Sequence, residues 1–291
     1  MKHLAPQIYR FIMADSLGDR QKQYEDNYDY SITRRVPIII RADGRSFHRV
    51  TRKLQKPYCP ELLNVMANTM MYAITEMQGA VFGYQQSDEI TYVLRNDQSL
   101  DAEPWYQNRV QKMVSIAASL TTLGFNKCLQ TLDTKLDIVG DAIFDARVFA
   151  MPYISEVANN LIWRQQDCSK NAISGAAQAE LAAKFGKRTA LKLLDKKISS
   201  EKKELLLHHC GIDFDDYYPT SFRRGVAVYK IPTIVPTKDG GVSRNKWNLS
   251  WDIPNFVEEK DFLMNILING HDVFRAPSVL TFDDNSEKKI D

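Results

Sequence analysis

The segment Val36-Pro37-Ile38-Ile39-Ile40-Arg41 constrains the fold most, because it is β-branched, apolar through its centre and stops abruptly at Asp43-Gly44. This is the pattern of a fully buried strand entering a tight turn. Such a strand needs neighbours, and the following residues supply them. From Pro60 to Met77 the apolar residues recur at three- and four-residue spacing, with Gly79 as a stop, which predicts an amphipathic helix. Ala80–Gln86 and Ile90–Leu94 then read as two strands joined by Ser87-Asp88-Glu89, a hairpin with an acidic tip. A second helix is expected from about Pro104 to Phe125, with small residues at Ser115, Ala117, Ala118 and Ser119 that permit close packing on a sheet. Ala142–Met151, stopped by Pro152, reads as a fourth strand. The order β-α-β-β-α-β over residues 36–151 is the ferredoxin-like pattern: one antiparallel sheet with both helices on one face.

Beyond Pro152 the composition changes. Ile154–Glu180 is helical in pattern, Lys184–Lys203 and Glu204–His209 are Lys-rich and helical, and Gly225–Ile231 is a strand. A turn at Pro236–Gly241 leads to a hairpin partner at Asn245–Trp251, and Asp283–Lys289 is polar and expected to fray. The expected class is α+β, with a sheet domain over 1–155. A mainly helical region with a C-terminal hairpin, 156–291, is expected to pack on that domain.

Composition narrows the partners. The 291 residues carry 38 Lys+Arg against 36 Asp+Glu, so nucleic-acid binding must come from local basic patches rather than bulk charge. The four cysteines form no C-x-x-C pair, which points to free thiols in a reducing compartment. Pro6 and its polar neighbours interrupt any signal-peptide core, and no apolar run reaches the ~18 residues of a spanning helix. A soluble cytoplasmic protein with no membrane partner is expected.

The chemistry is expected at two acidic turns, Asp43-Gly44 after the first strand and Ser87-Asp88-Glu89 at the hairpin tip. In a ferredoxin-like sheet the first strand lies beside the hairpin, so carboxylates distant in sequence reach one end of the sheet. Adjacent carboxylates repel unless a cation lies between them, and hard oxygen ligands suit Mg²⁺, held by one or two carboxylates plus substrate phosphates. This is the arrangement of a polymerase palm, with two ions serving phosphoryl or nucleotidyl transfer. Taken singly, each acidic turn is equally well explained by the ordinary turn preferences of Asp, Gly and Ser. Their common placement favours the metal site.

Five ordered motifs then carry a family resemblance: Arg41-Ala42-Asp43-Gly44-Arg45-Ser46-Phe47-His48, Lys56-Pro57, Tyr84-Gln85-Gln86-Ser87-Asp88-Glu89, Phe144-Asp145-Ala146-Arg147 and Trp163-Arg164-Gln165-Gln166-Asp167-Cys168. The chain resembles tRNA(His) guanylyltransferase and its relatives, which add nucleotides to RNA 5′ ends in the 3′-to-5′ direction. The resemblance implies a palm-like fold, two Mg²⁺ ions held by Asp43, Asp88 and the Gly44 carbonyl, and Glu89 grouped with the catalytic carboxylates. It implies a nucleotide site in which backbone amides of Asp43, Gly44, Arg45, Ser46, Phe47 and His48 wrap the triphosphate, helped by Ser87 and Asp88, with Lys112 near the phosphates. The implied substrates are tRNA, GTP, ATP and other NTPs, and the implied assembly is a homo-oligomer such as a tetramer. The RNA 5′ end is activated by adenylylation or as a triphosphate, and the 3′-hydroxyl of the incoming nucleotide attacks it. No side-chain nucleophile is required.

Two departures stand out. Members that add an untemplated G carry His-Ile-Asn-Asn after the Cys168 position, whereas this chain has Ser169-Lys170-Asn171-Ala172, which resembles the bacterial, archaeal and phage-type relatives that add opposite a template base. The family's Phe-Asp-Gly-Arg is Phe144-Asp145-Ala146-Arg147 here. Candidate RNA contacts are Arg164, Lys170, Asn171, Arg223 and Arg224; Trp247 and Trp251 resemble a stacking platform, although a tryptophan pair spaced by four is more often core packing. The competing readings are a palm-type nucleotide cyclase that works without RNA, and a non-catalytic RNA-binding module using exposed aromatics on the sheet.

Overall fold

The computed structural model describes residues 16–132, 136–237, 240–275 and 278–279; the expected fraying of Asp283–Lys289 lies outside them. Helix α1 is Leu17–Asp26, followed by β1 (Ile38–Gly44), a single turn α2 (Phe47–Val50), α3 (Pro60–Thr75), β2 (Ala80–Gln86), β3 (Glu89–Leu94), α4 (Val110–Gln130) and β4 (Phe144–Ala150). The second half holds α5 (Ile154–Phe185), α6 (Lys187–Leu194), α7 (Ser199–Cys210), α8 (Phe214–Tyr217), α9 (Thr220–Arg224), β5 (Val226–Thr237), β6 (Gly240–Ser250), α10 (Lys260–Asn269) and a two-residue strand, β7 (Ser278–Val279).

Strands pair in the order β4-β1-β3-β2-β5-β6 with every neighbour antiparallel, and β7 adds a short parallel pairing to β5. The first four reproduce the ferredoxin-like order. The sheet does not end near residue 155, because β5 pairs directly with β2 through Phe82↔Tyr229 and Tyr84↔Ala227. The C-terminal hairpin therefore continues the sheet of the first half.

Both sheet faces are covered, which explains why the Ile38-Ile39-Ile40 run does not alternate. On one face Ile38, Ile40, Ile90 and Tyr92 pack with Met66, Met70 and Ile74 of α3 and Met113, Ala117 and Phe125 of α4. On the other, Ile39, Tyr84 and Val93 pack with Val157 and Leu161 of α5 and with Leu263 and Ile266 of α10. Each fully buried side chain of this size contributes about 1.5–3 kcal/mol. A third cluster joins the distal half of α5, through Ala172 and Ala176, to Leu206, Phe214 and Tyr218. Phe82, Tyr84 and Tyr92 are completely buried, so the central strands present no aromatic surface to RNA, and that competing reading fails. Among the described residues no helix is long and apolar enough to cross a membrane.

Candidate active site

The end of β1 is closed against the hairpin tip. Asp43 pairs with Glu89 on one side and with Asp145 on the other. Beyond it the Gly44 N–H donates to the Asp88 carbonyl at 3.1 Å and the Arg45 N–H donates to the Ile143 carbonyl at 2.8 Å. Ser87 and Asp88 form a two-residue turn between β2 and β3, with Ser87 in the left-handed region at φ 48°. The Gln85 amide holds the Ser87 carbonyl at 2.8 Å, and the Ser87 hydroxyl donates to Asp88 Oδ1 at 3.1 Å.

This closure brings the expected pair together. The Asp88 carboxyl is raised above its ordinary value, first by burial and then by the charge of Asp43, against the opposing pull of its own backbone N–H and the Ser87 hydroxyl. Gly44 has a packing reason to be glycine: a Cβ there would lie 2.5 Å from the Phe47 ring.

Several expectations are corrected. Glu89 is not a free carboxylate beside Asp88. Arg164, reaching from α5 across 75 residues of sequence, donates Nε to Oε1 at 2.7 Å and Nη2 to Oε2 at 2.9 Å, while the same Nη2 also donates to Asp167 at 3.0 Å. Arg164 is thereby removed from the RNA candidates, being buried and paired within the fold. The Phe47 side chain is a core residue against Phe125 and Phe144, with ring centroids at 5.5 and 5.6 Å, so only its backbone is open to a nucleotide. The Gly44 and Arg45 amides are already engaged, which leaves those of Ser46, Phe47 and His48 for a triphosphate. Lys112 lies on the first turn of α4, whereas the turn nearest the site is that of Thr122, whose hydroxyl accepts from the Phe144 N–H. Ten residues of helix place Lys112 about 15 Å from Thr122 along the axis.

Arg45, Ser46 and His48 are exposed at the turn after β1. Asn171 is exposed and donates to Asp167 at 3.3 Å. Lys170 and Arg224 line one open cavity, while Arg223 pairs with Asp215 at 3.3 Å. Trp247 packs against the core with Lys230 over its ring at 4.7 Å, which is the packing role rather than the stacking one. Burial pushes the Cys168 thiol up to about 12, leaving it inert.

Composition alone gives no sign of the groove beside Ser87. It encloses about 230 Å³ between Phe47, Thr51, Leu54 and Tyr58 on one side and Asn171 and Phe222 on the other. The one available sequence signal was Lys56-Pro57, which forms part of its wall. Among the described residues no three His, Cys, Asp or Glu side chains gather as a metal cluster. The site offers two carboxylates, a donor set that suits a cation completing its shell with phosphates and water.

Residues 18–152 match the family profile described as tRNAHis guanylyltransferase, and residues 155–260 match the Thg1 C terminal domain. The chain is 30% identical over 222 residues to the tRNA(His) guanylyltransferase of Schizosaccharomyces pombe, covering 73% of this chain and 80% of that protein. An uncharacterised protein of Acanthamoeba polyphaga mimivirus is 32% identical over 182 residues, covering 56% of this chain and 62% of that one. A bacterial tRNA(His) guanylyltransferase-like protein solved in complex with ATP superposes with a TM-score of 0.73 at 30% identity, covering 87% of this chain and 99% of that one. The Saccharomyces cerevisiae tRNA(His) guanylyltransferase shares the fold, with a TM-score of 0.62 at 21% identity over 77% of this chain and 95% of that one. With both halves of the chain matched, the protein belongs to the tRNA(His) guanylyltransferase family.

Proposed function

We propose that this chain is a Mg²⁺-dependent nucleotidyltransferase that adds nucleotides to the 5′ end of tRNA, with addition directed by a template base. The observation that carries the reading is the convergence of Asp43 and Asp88 at one sheet end, with Asp88 raised by burial and by its neighbour's charge. A bound divalent cation fits there, held by the two carboxylates and the Gly44 carbonyl, and supplies Lewis-acid polarisation of phosphoryl oxygens. Two ions are expected, the second completing its shell from substrate phosphates.

The chain's own residues position and shield. The groove beside Ser87 takes the base and ribose of the incoming nucleotide, and the Ser46, Phe47 and His48 amides with the Ser87 hydroxyl receive its phosphates. The apolar walls at Leu54 and Phe222 exclude water. The 3′-hydroxyl of this nucleotide attacks the activated 5′ phosphate, and AMP or pyrophosphate leaves. Glu89 and Arg164 hold the start of β3 against α5 and take no part in the transfer. Support comes from the family and from bacterial relatives solved with ATP and with GTP. The same reading carries a homo-oligomer, which light scattering reads directly.

The test uses Mg²⁺, ATP and labelled GTP with full-length tRNA(His) and with a tRNA lacking its first 5′ nucleotide, varying the opposing base. Addition only opposite a pairing base is expected, consistent with Ser169-Lys170-Asn171-Ala172 standing where untemplated G-adders have His-Ile-Asn-Asn. Addition regardless of that base overturns the templated reading. Cyclic products from NTPs alone, without RNA, would replace the proposal with a cyclase.

A further inference from the structure

Arg41, Arg147 and Trp163 are left unused by the mechanism above. Arg41 and Arg147 are register partners on β1 and β4, and Asp43 and Asp145 are the next partners on the same face, two residues or roughly 7 Å along the strands. Helix α5 lays Trp163 over this face, its indole 4.5 Å from the Arg164 guanidinium and 5.8 Å from that of Arg41. The ring is nevertheless 51% exposed.

The three arginines are not equivalent. Arg164 is neutralised by Glu89 and Asp167. Arg41 has its nearest carboxylate oxygen, Glu89 Oε2, at 3.9 Å, and that oxygen already accepts from Arg164. Among the described residues Arg147 reaches only Asp145, at 4.0 Å, with 54% of its side chain exposed. Thr91, the register partner of Arg41 on β3, has a buried hydroxyl with no partner among the described residues. Packing alone accounts for one arginine under a tryptophan; it leaves two guanidiniums side by side without a close acceptor.

We infer that Arg41, Arg147 and Trp163 form the receiving site for the 5′-terminal phosphorylated nucleotide of the RNA. Its phosphate is held between the two guanidiniums and its base lies on the indole. This rests on the function proposed above and assigns the acceptor half of that site. Paired guanidiniums match phosphate geometry, and base–indole stacking tolerates any base. A free nucleotide has the groove beside Ser87, which Arg41, Arg147 and Trp163 do not line. By contrast β4 is an edge strand, so a polymer bound there can run out to solvent.

The test measures binding of an acceptor-stem RNA duplex, labelled at its far end, with either a 5′-monophosphate or a 5′-hydroxyl, by anisotropy in Mg²⁺ without NTP. GTP affinity is measured separately by calorimetry. The intact chain is expected to prefer the 5′-phosphate by about tenfold. Arg147→Gln should abolish that preference, and Trp163→Ala should weaken both RNAs by about tenfold, with Trp163→Phe recovering part. Both side chains are half-exposed, and unchanged GTP affinity in the variants establishes that they fold and that the groove is intact. Equal binding of the two RNAs by the intact chain, or an undiminished preference in Arg147→Gln, overturns the inference. It is also overturned if GTP displaces the phosphorylated end and Arg147→Gln weakens GTP itself, because the site then belongs to a free nucleotide. Failure of the intact chain to bind GTP counts against the proposed function, not this site.

Discussion

Asp88 and Glu89 are neighbours in the chain and opposite in state. Asp88 sits in the turn at the hairpin tip, its carboxylate supported by one serine hydroxyl and opposed by Asp43. Glu89 begins β3, and both its oxygens are held by a buried arginine from a helix that arrives 75 residues later. One region is an unneutralised concentration of negative charge; the other is a nearly closed ion-pair network. Buried charge persists where it is paired, and an unpaired cluster marks a place where something else supplies the countercharge. Identical chemical groups therefore divide into a site and its support.

The largest effect should separate the two regions outright. Asp43→Asn or Asp88→Asn is expected to lower nucleotide addition by on the order of 10³-fold or more, with the thermal midpoint unchanged or raised. Glu89→Gln should leave measurable activity, and a Glu89→Gln enzyme as inactive as Asp88→Asn at full stability would break the comparison.

Next, Arg164→Ala should destabilise by about 3–5 kcal/mol, read by urea unfolding, because it strands Glu89 without its partner. The double variant Glu89→Gln/Arg164→Ala should recover part of that loss; strict additivity would mean the pair is not coupled. Gly44→Ala should cost about 1–3 kcal/mol, since its Cβ would meet the Phe47 ring, and Phe47→Leu should relieve part of it.

The smallest effect concerns pH. The folded-state pKa of Asp88 is raised, so its contribution to stability is fully present below the unfolded value and is lost as pH rises through the folded value. Unfolding free energy of the intact chain relative to Asp88→Asn should therefore fall as pH climbs from about 3.8. A flat difference across that range would show that neither burial nor the charge of Asp43 raises Asp88, and added Mg²⁺ should diminish the pH dependence.

Much of the fold was legible because it is local. The apolar run ending at Asp43-Gly44, the three- and four-residue spacing after Pro60 and the stop at Pro152 each act over a few residues, and β1, α3 and β4 lie within a few positions of expectation. The second helix begins later than its Pro104 signal predicts: α4 starts at Val110, because Tyr106, Gln107 and Asn108 turn the chain with positive φ. The approach of the Asp43 and Asp88 turns to one sheet end was legible through strand order, and Phe47 through its aromatic character. The surroundings of Glu89 and Lys112 were not, since a residue type at a turn or on a helix face does not say which distant element covers it.

The sequence by itself determined the strand and helix order, the two acidic turns and the family motifs, all of which are properties of short segments and their spacing. Only the tertiary structure decided that β5 extends the sheet beside β2, that α5 buries the second face and that Arg164 neutralises Glu89 but leaves Asp88 alone. The physical reason is that a carboxylate's state depends on the burial and charges around it, and here those charges come from segments as many as 75 residues apart.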